Sequence, residues 1–154
     1  MMPAQPSPYS EPNGPPPWWE RASGRARVYV ASALPNLSAA VMLARQLRAV
    51  GVEVVSSWHA ETYSTVEVEA RLPLDRRARL AEKCFSEIDR ADVFVWLHGF
   101  SSGRVGAAVE YGYALKGGKI IYLVSIDGEV APSVFGALGP EITATALLRR
   151  LGGA

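Results

Sequence analysis

The chain has 154 residues, with 16 Lys and Arg against 15 Asp and Glu and a formal charge of +1. No basic block large enough to neutralise a run of phosphates is present, so nucleic acid is not an expected partner. One cysteine, Cys84, and two histidines, His59 and His98, exclude an internal disulfide and a Cys-rich metal cluster; no metal is expected, and the composition fits a reducing cytoplasm.

The first 24 residues, ending "PPPWWERASG", are dense in Pro, Ser and Gly and lack the apolar core of a signal peptide. Such a composition buries too little surface to offset its ordering entropy, so residues 1–24 are expected to form a disordered arm, dispensable for folding, ahead of one domain at 25–154. Trp18 and Trp19 stand apart, as a pair that either docks on the domain or a sister subunit or stays exposed. No apolar run is long enough to span a bilayer, so no membrane partner is expected.

"RVYVASAL" (27–34) is short, β-branched and apolar, as a strand buried on both faces should be. Ser38 is placed to cap a helix carrying Val41, Ala44, Leu47 and Val50 on one side, and Gly51 stands where a helix stops. "VEVVSSW" (52–58) reads as the next strand, completing a βαβ unit with parallel strands. Residues 59–73 have no clear period and read as a long loop with an extended piece at "STVEVEA". Asp75 then caps a helix striped by Ala78, Ala81, Cys84, Phe85 and Ile88, and "ADVFVWLHG" is a third buried strand.

After the loop from His98 to Gly106 comes a helix whose Val105, Ala108, Val109, Gly112 and Tyr113 recur at helical spacing, with Glu110 interrupting them. Residues 119–125 form a fourth strand, "VAPSVFGAL" suggests an edge strand around Val134, and "EITATALLRRLGG" closes as an amphipathic helix. This alternation predicts an α/β fold: an open, doubly wound parallel sheet of four to five strands, a flavodoxin-like or Rossmann-like three-layer sandwich. Ligands of such sheets gather beyond the carboxyl ends of the strands, here near Leu34, Trp58, the 98–106 loop and Ser125. Glu110 falls close to that crevice, which favours a carboxylate held beside a ligand over a solvated surface charge. In the same loop, "HGFSSGRVG" sets Ser101, Ser102, Arg104 and Gly106 ahead of a helix N-terminus. The segment reads either as an anion cradle for a 5′-phosphate or as a plain flexible glycine loop.

Three pieces taken in order, "VYVASAL", "ADVFVWL" and "VEYGYALKGGKIIYLV", resemble the nucleoside 2-deoxyribosyltransferase-like family, including its deoxynucleotide N-glycosidase branch, over residues 27–124. The resemblance implies cleavage or transfer at the N-glycosidic bond of a 2′-deoxynucleoside or its 5′-monophosphate, with no cofactor and a homodimer or larger assembly. It further implies that Glu110, in its "E-x-G-x-A" context, attacks the anomeric carbon, and that Tyr29 lies beside it and hydrogen-bonds its carboxylate. The positive end of the helix is expected to keep Glu110 ionised. Trp58, His59 and Tyr63 fall where the family holds its base, Trp58 reading equally as a core residue at a strand end, and His98 either contacts substrate or caps the sheet. One departure stands out: where the family has an aspartate that handles the leaving base, this chain has Cys84 in "AEKCFSEIDRADV". As a residue on an apolar stripe, Cys84 also reads as a small buried thiol. The alternative to an enzyme is therefore a nucleotide-binding module with little or no catalysis, and a third reading is a protein-interaction domain without nucleotide binding.

Overall fold

The computed structural model describes residues 18, 21, 23–61, 66–99, 105–129, 131 and 134–152. Four strands, β1 (Arg27–Ser32), β2 (Glu53–Val54), β3 (Val93–His98) and β4 (Ile120–Ser125), form one sheet in the order β2-β1-β3-β4. All pairings are parallel, with Val28 opposite Val93 and Val93 opposite Ile120. The fold expected from the sequence, a doubly wound parallel sheet, is the one observed.

Val28, Tyr29, Val30, Val93, Phe94, Val95, Ile121 and Leu123 are all fully buried, because helices cover both faces of the sheet. The helices are α1 (Leu37–Ala49), α2 (Val66–Arg71), α3 (Leu74–Arg90), α4 (Val105–Lys116) and α5 (Ala144–Leu151). α1 packs against α5 and α3 against α4. Right-handed crossovers explain this pairing: the β1-to-β2 connection runs one way along the sheet, whereas the β2-to-β3 and β3-to-β4 connections run the other. The strand order reverses between β1 and β3, so a crevice opens there at the carboxyl ends.

Several local details differ from the sequence reading. The second strand is two residues long, and Trp58 begins a short 3-10 turn (Trp58–Ala60). Part of the supposed loop 59–73, its "VEVEAR", is the helix α2 and not an extended piece. Val134–Leu138 forms a 3-10 turn where an edge strand was expected. Edge pairing occurs instead at Glu141, bridged in parallel to Leu123, with Ile142 N donating to Leu123 O at 2.8 Å. Neither Ser38 nor Asp75 caps its helix: α1 starts after Asn36, and Asp75 accepts from Arg79 at 3.0 Å. Thr143 does cap α5, accepting from Ala146 N at 3.1 Å. Gly51, at φ 90°, ends α1 as its position suggested.

The described part of the arm is packed on the domain. Trp18 is 5% exposed and joins the core, while Arg21 donates to both carboxylate oxygens of Asp92, at 2.8 Å to Oδ1. Asp92 also accepts from Arg27 N at 2.8 Å, so this pair fixes the chain where it enters β1.

Candidate active site

A cavity of about 480 Å³ lies at the carboxyl end of β1, within the size range of small-molecule sites. Its wall comes from the β1 exit (Ser32, Ala33, Leu34), from Trp58, from α2 and α3, and from the start of α4. Cys84, Gly106 and Glu110 all face this cavity, as does Trp58. A Cβ added at Gly106 would meet no atom within 4 Å, so this position contributes open space to the wall.

The centre of the site is the trio Tyr29, Cys84 and Glu110, brought together from β1, α3 and α4. Among the described residues, the buried Tyr29 hydroxyl and the buried Glu110 Oε2 have no hydrogen-bond partner. The two groups are nevertheless near enough that each moves the other's proton equilibrium, with Cys84 coupled to both. Buried polar atoms are normally paired, so the orphan Glu110 Oε2 at the cavity suits a ligand that supplies its missing partner. Tyr29 stacks on Phe94, its partner across β1 and β3, with ring centroids 5.7 Å apart, which fixes the orientation of its ring.

Burial raises Glu110 from 4.5 to about 7; Tyr29 opposes this shift, and Glu87 and Glu69 add to it. The sequence reading expected the helix end to keep this carboxylate ionised. α4 begins at Val105, however, so Glu110 lies beyond the first turn, where the dipole has faded, and desolvation wins. Burial, with Glu110 next, likewise raises the Cys84 thiol to about 11, and the same two causes raise the Tyr29 phenol. Glu87, itself buried, accepts from Ser57 N at 3.2 Å and from Ser57 Oγ at 2.9 Å.

Trp58 lines the cavity while its indole N–H donates to Val30 O at 2.6 Å, so its polar edge is already used. His59 does not line the cavity: it is buried, its Nε2 pairs with Ser56 Oγ at 3.0 Å, and burial followed by Arg48 lowers its pKa. His98 is also off the wall, its Nε2 meeting the Glu141 carboxylate oxygens at 2.9 and 3.0 Å. That contact caps the sheet by tying β3 to the edge segment beyond β4. Ser101, Ser102 and Arg104 lie outside the described residues, as do Tyr63 and Trp19.

Two charged residues on the wall were not singled out from the sequence, Glu69 of α2 and Arg77 of α3. Arg77 precedes Cys84 by seven residues, two helical turns, so the period that places Cys84 at the site could have found it. Glu69 had no such signal, because α2 was read as loop. Among the described residues, no group of three His, Cys, Asp or Glu side chains is placed to hold a metal ion.

No family profile and no curated protein matches the sequence. Solved structures do match the fold. A 2-deoxyribosyltransferase from Bacillus psychrosaccharolyticus superposes with a TM-score of 0.54 at 24% identity, over 68% of this chain and 76% of that one. A CMP N-glycosidase from Clostridium botulinum gives 0.52 at 21% identity, over 81% and 96%. A conserved protein from Enterococcus faecalis V583 gives 0.62 at 16% identity, over 82% and 97%. The chain therefore shares its fold with a 2-deoxyribosyltransferase and a CMP N-glycosidase, the same fold that its own residues resemble.

Proposed function

We propose that the protein cleaves or transfers at the N-glycosidic bond of a 2′-deoxynucleoside or its 5′-monophosphate, with Glu110 as the nucleophile. The observation that carries this reading is the unpartnered Glu110 Oε2 at a cavity on the sheet's switch point. With a pKa near 7, Glu110 is about half ionised at neutral pH, charged enough to attack and shielded enough to be reactive. Its carboxylate attacks the anomeric carbon as the base departs, giving a glycosyl ester. Water or a second base then resolves the ester, and two displacements at one carbon retain its configuration. Tyr29 favours the ionised form of the carboxylate, and Trp58 offers a surface for the base. Arg104, Ser101 and Ser102 are assigned to a 5′-phosphate on their sequence alone. No organic cofactor or metal is required by these steps.

A second reading, a nucleotide-binding module with little catalysis, is favoured by Cys84, a thiol where the family resemblance implies an aspartate. Glu110→Gln separates the two: as an enzyme the protein should lose roughly a thousand-fold or more in turnover while still binding nucleotide. A variant as active as the native protein would contradict the nucleophile. A homodimer or larger assembly is part of the proposal, supported by Val105, Val109 and Tyr113, 76%, 50% and 36% exposed on one face of α4. Sedimentation as a monomer at micromolar concentration would count against it. Among the described residues no helix is long and apolar enough to cross a membrane; a cytoplasmic site of action remains part of the proposal.

A further inference from the structure

Breaking a neutral N-glycosidic bond leaves an electron pair, and with it negative charge, on the base nitrogen, which a nearby acid has to neutralise. Among the described residues, the titratable groups in or beside the cavity are Tyr29, Glu69, Arg77, Cys84, Glu87 and Glu110, and Glu87 is held by Ser57. Glu110 is occupied as nucleophile in the reading above. Tyr29 and Cys84 hold their protons tightly, since burial raises both, Cys84 to about 11. Glu69 is a solvent-exposed carboxylate on the rim. The neighbouring sequence segments, "TYST" at 62–65 and "FSSGR" at 100–104, add no carboxylate and no imidazole.

The wall supplies negative charge and an aromatic side chain instead. Glu69 and Glu110 both line the cavity, with Glu87 close enough to act on Glu110, and Trp58 adds an aromatic residue to the wall, of the kind that suits a flat cation. Arg77, which lines the cavity from an exposed position, is about 10 Å along α3 from Cys84, two turns away from the reacting groups.

We propose that the site prefers N-glycosides whose base already carries a positive charge, such as an N7-alkylated purine or a pyridinium, over neutral nucleosides. This inference rests on Glu110 acting as the glycosyl acceptor. A Glu110 carboxylate oxygen bonds to C1′ as the C1′–N bond breaks, and the bonding pair moves to the ring nitrogen and cancels its positive charge. The base leaves neutral and requires no proton, so the missing aspartate is not needed. Water then attacks C1′, Glu110 departs with the ester's electron pair, and the water's proton passes to solvent.

The test uses the full chain with a matched pair, 7-methyl-2′-deoxyguanosine and 2′-deoxyguanosine, following base release by chromatography and dividing each rate by its spontaneous rate. The acceleration of the cationic substrate should exceed that of the neutral one by roughly a hundred-fold, the scale of general-acid help. Cys84→Asp should shrink this ratio at least tenfold or so by speeding the neutral substrate. Glu69→Gln, at an exposed position that leaves the fold intact, should shrink it several-fold by weakening cation binding. Equal acceleration of both substrates, or a ratio untouched by Glu69→Gln, overturns the inference while leaving N-glycosidic cleavage standing. Cleavage of neither substrate removes both.

Discussion

Replacing Glu110 with Gln tests the burial argument without any substrate. An accessible glutamate titrates near 4.5, whereas Glu110 in the fold titrates near 7, because burial, Glu87 and Glu69 outweigh the help from Tyr29. Below about pH 4.5 both the folded and the unfolded chain hold this proton. Between 4.5 and 7 the unfolded chain releases it first, so rising pH draws the equilibrium towards unfolding, and the loss is complete above 7. At roughly 1.4 kcal/mol per pH unit, the ionised carboxylate costs the native fold on the order of 3 kcal/mol at pH 8. Glutamine has nearly the same shape and never ionises. Any change in its contact with Tyr29 is independent of pH and appears as a constant offset. The stability difference between Glu110→Gln and the native protein should therefore grow in the variant's favour from pH 5 to pH 8, by about 2.5 kcal/mol in urea titrations. In thermal scans each kcal/mol corresponds to roughly 2–4 °C for a chain of this size. A difference that stays constant across this range would refute the claim that Glu110 is desolvated.

Other outcomes follow from the same geometry. The kcat profile should rise with pH through about 7, as Glu110 ionises, and an ascending limb near 4.5 would contradict the site's electrostatics. Tyr29→Phe removes a group that lowers the Glu110 pKa, so the ascending limb should move to higher pH, and stability should fall at pH 8, where Glu110 is ionised, while changing little at pH 5. Trp18→Ala should cost about 3 kcal/mol in denaturant titration, because the ring is buried in the core. Arg104→Ala should remove roughly a ten- to hundred-fold preference for monophosphate over nucleoside, read by calorimetry; equal affinities in the native protein would dispose of the phosphate cradle.

The sheet was legible because its strands are buried on both faces: "VYVA", "VFVW" and "IIYLV" are continuous apolar runs that a helix of this length would not carry unbroken. α4 was harder. It is apolar on two sides, so periodicity picked out Val105, Ala108, Val109, Gly112 and Tyr113, whereas Ala107, Tyr111, Ala114 and Leu115 are the residues packed on the sheet. Between Val105 and Lys116 the helix has one charged residue to break the symmetry, Glu110, and that residue faces the cavity. The Trp58 and His59 pair shows the limit of proximity in sequence: adjacent in one 3-10 turn, one lines the cavity and the other pairs with Ser56. Trp18 and Arg21 read as arm residues by composition, and only the fold shows that Trp18 joins the core and that Arg21 meets Asp92 ahead of β3.

The most direct test of the central claim is mass spectrometry of the protein after incubation with a 2′-fluoro-substituted deoxynucleoside carrying a good leaving base, because fluorine slows both displacements at C1′ and the activated base restores only the first, so a glycosyl ester accumulates. The account predicts one added sugar per chain, located by peptide digestion at Glu110 and missing from Glu110→Gln. Base release with no adduct at Glu110, or an adduct at another residue, would contradict it.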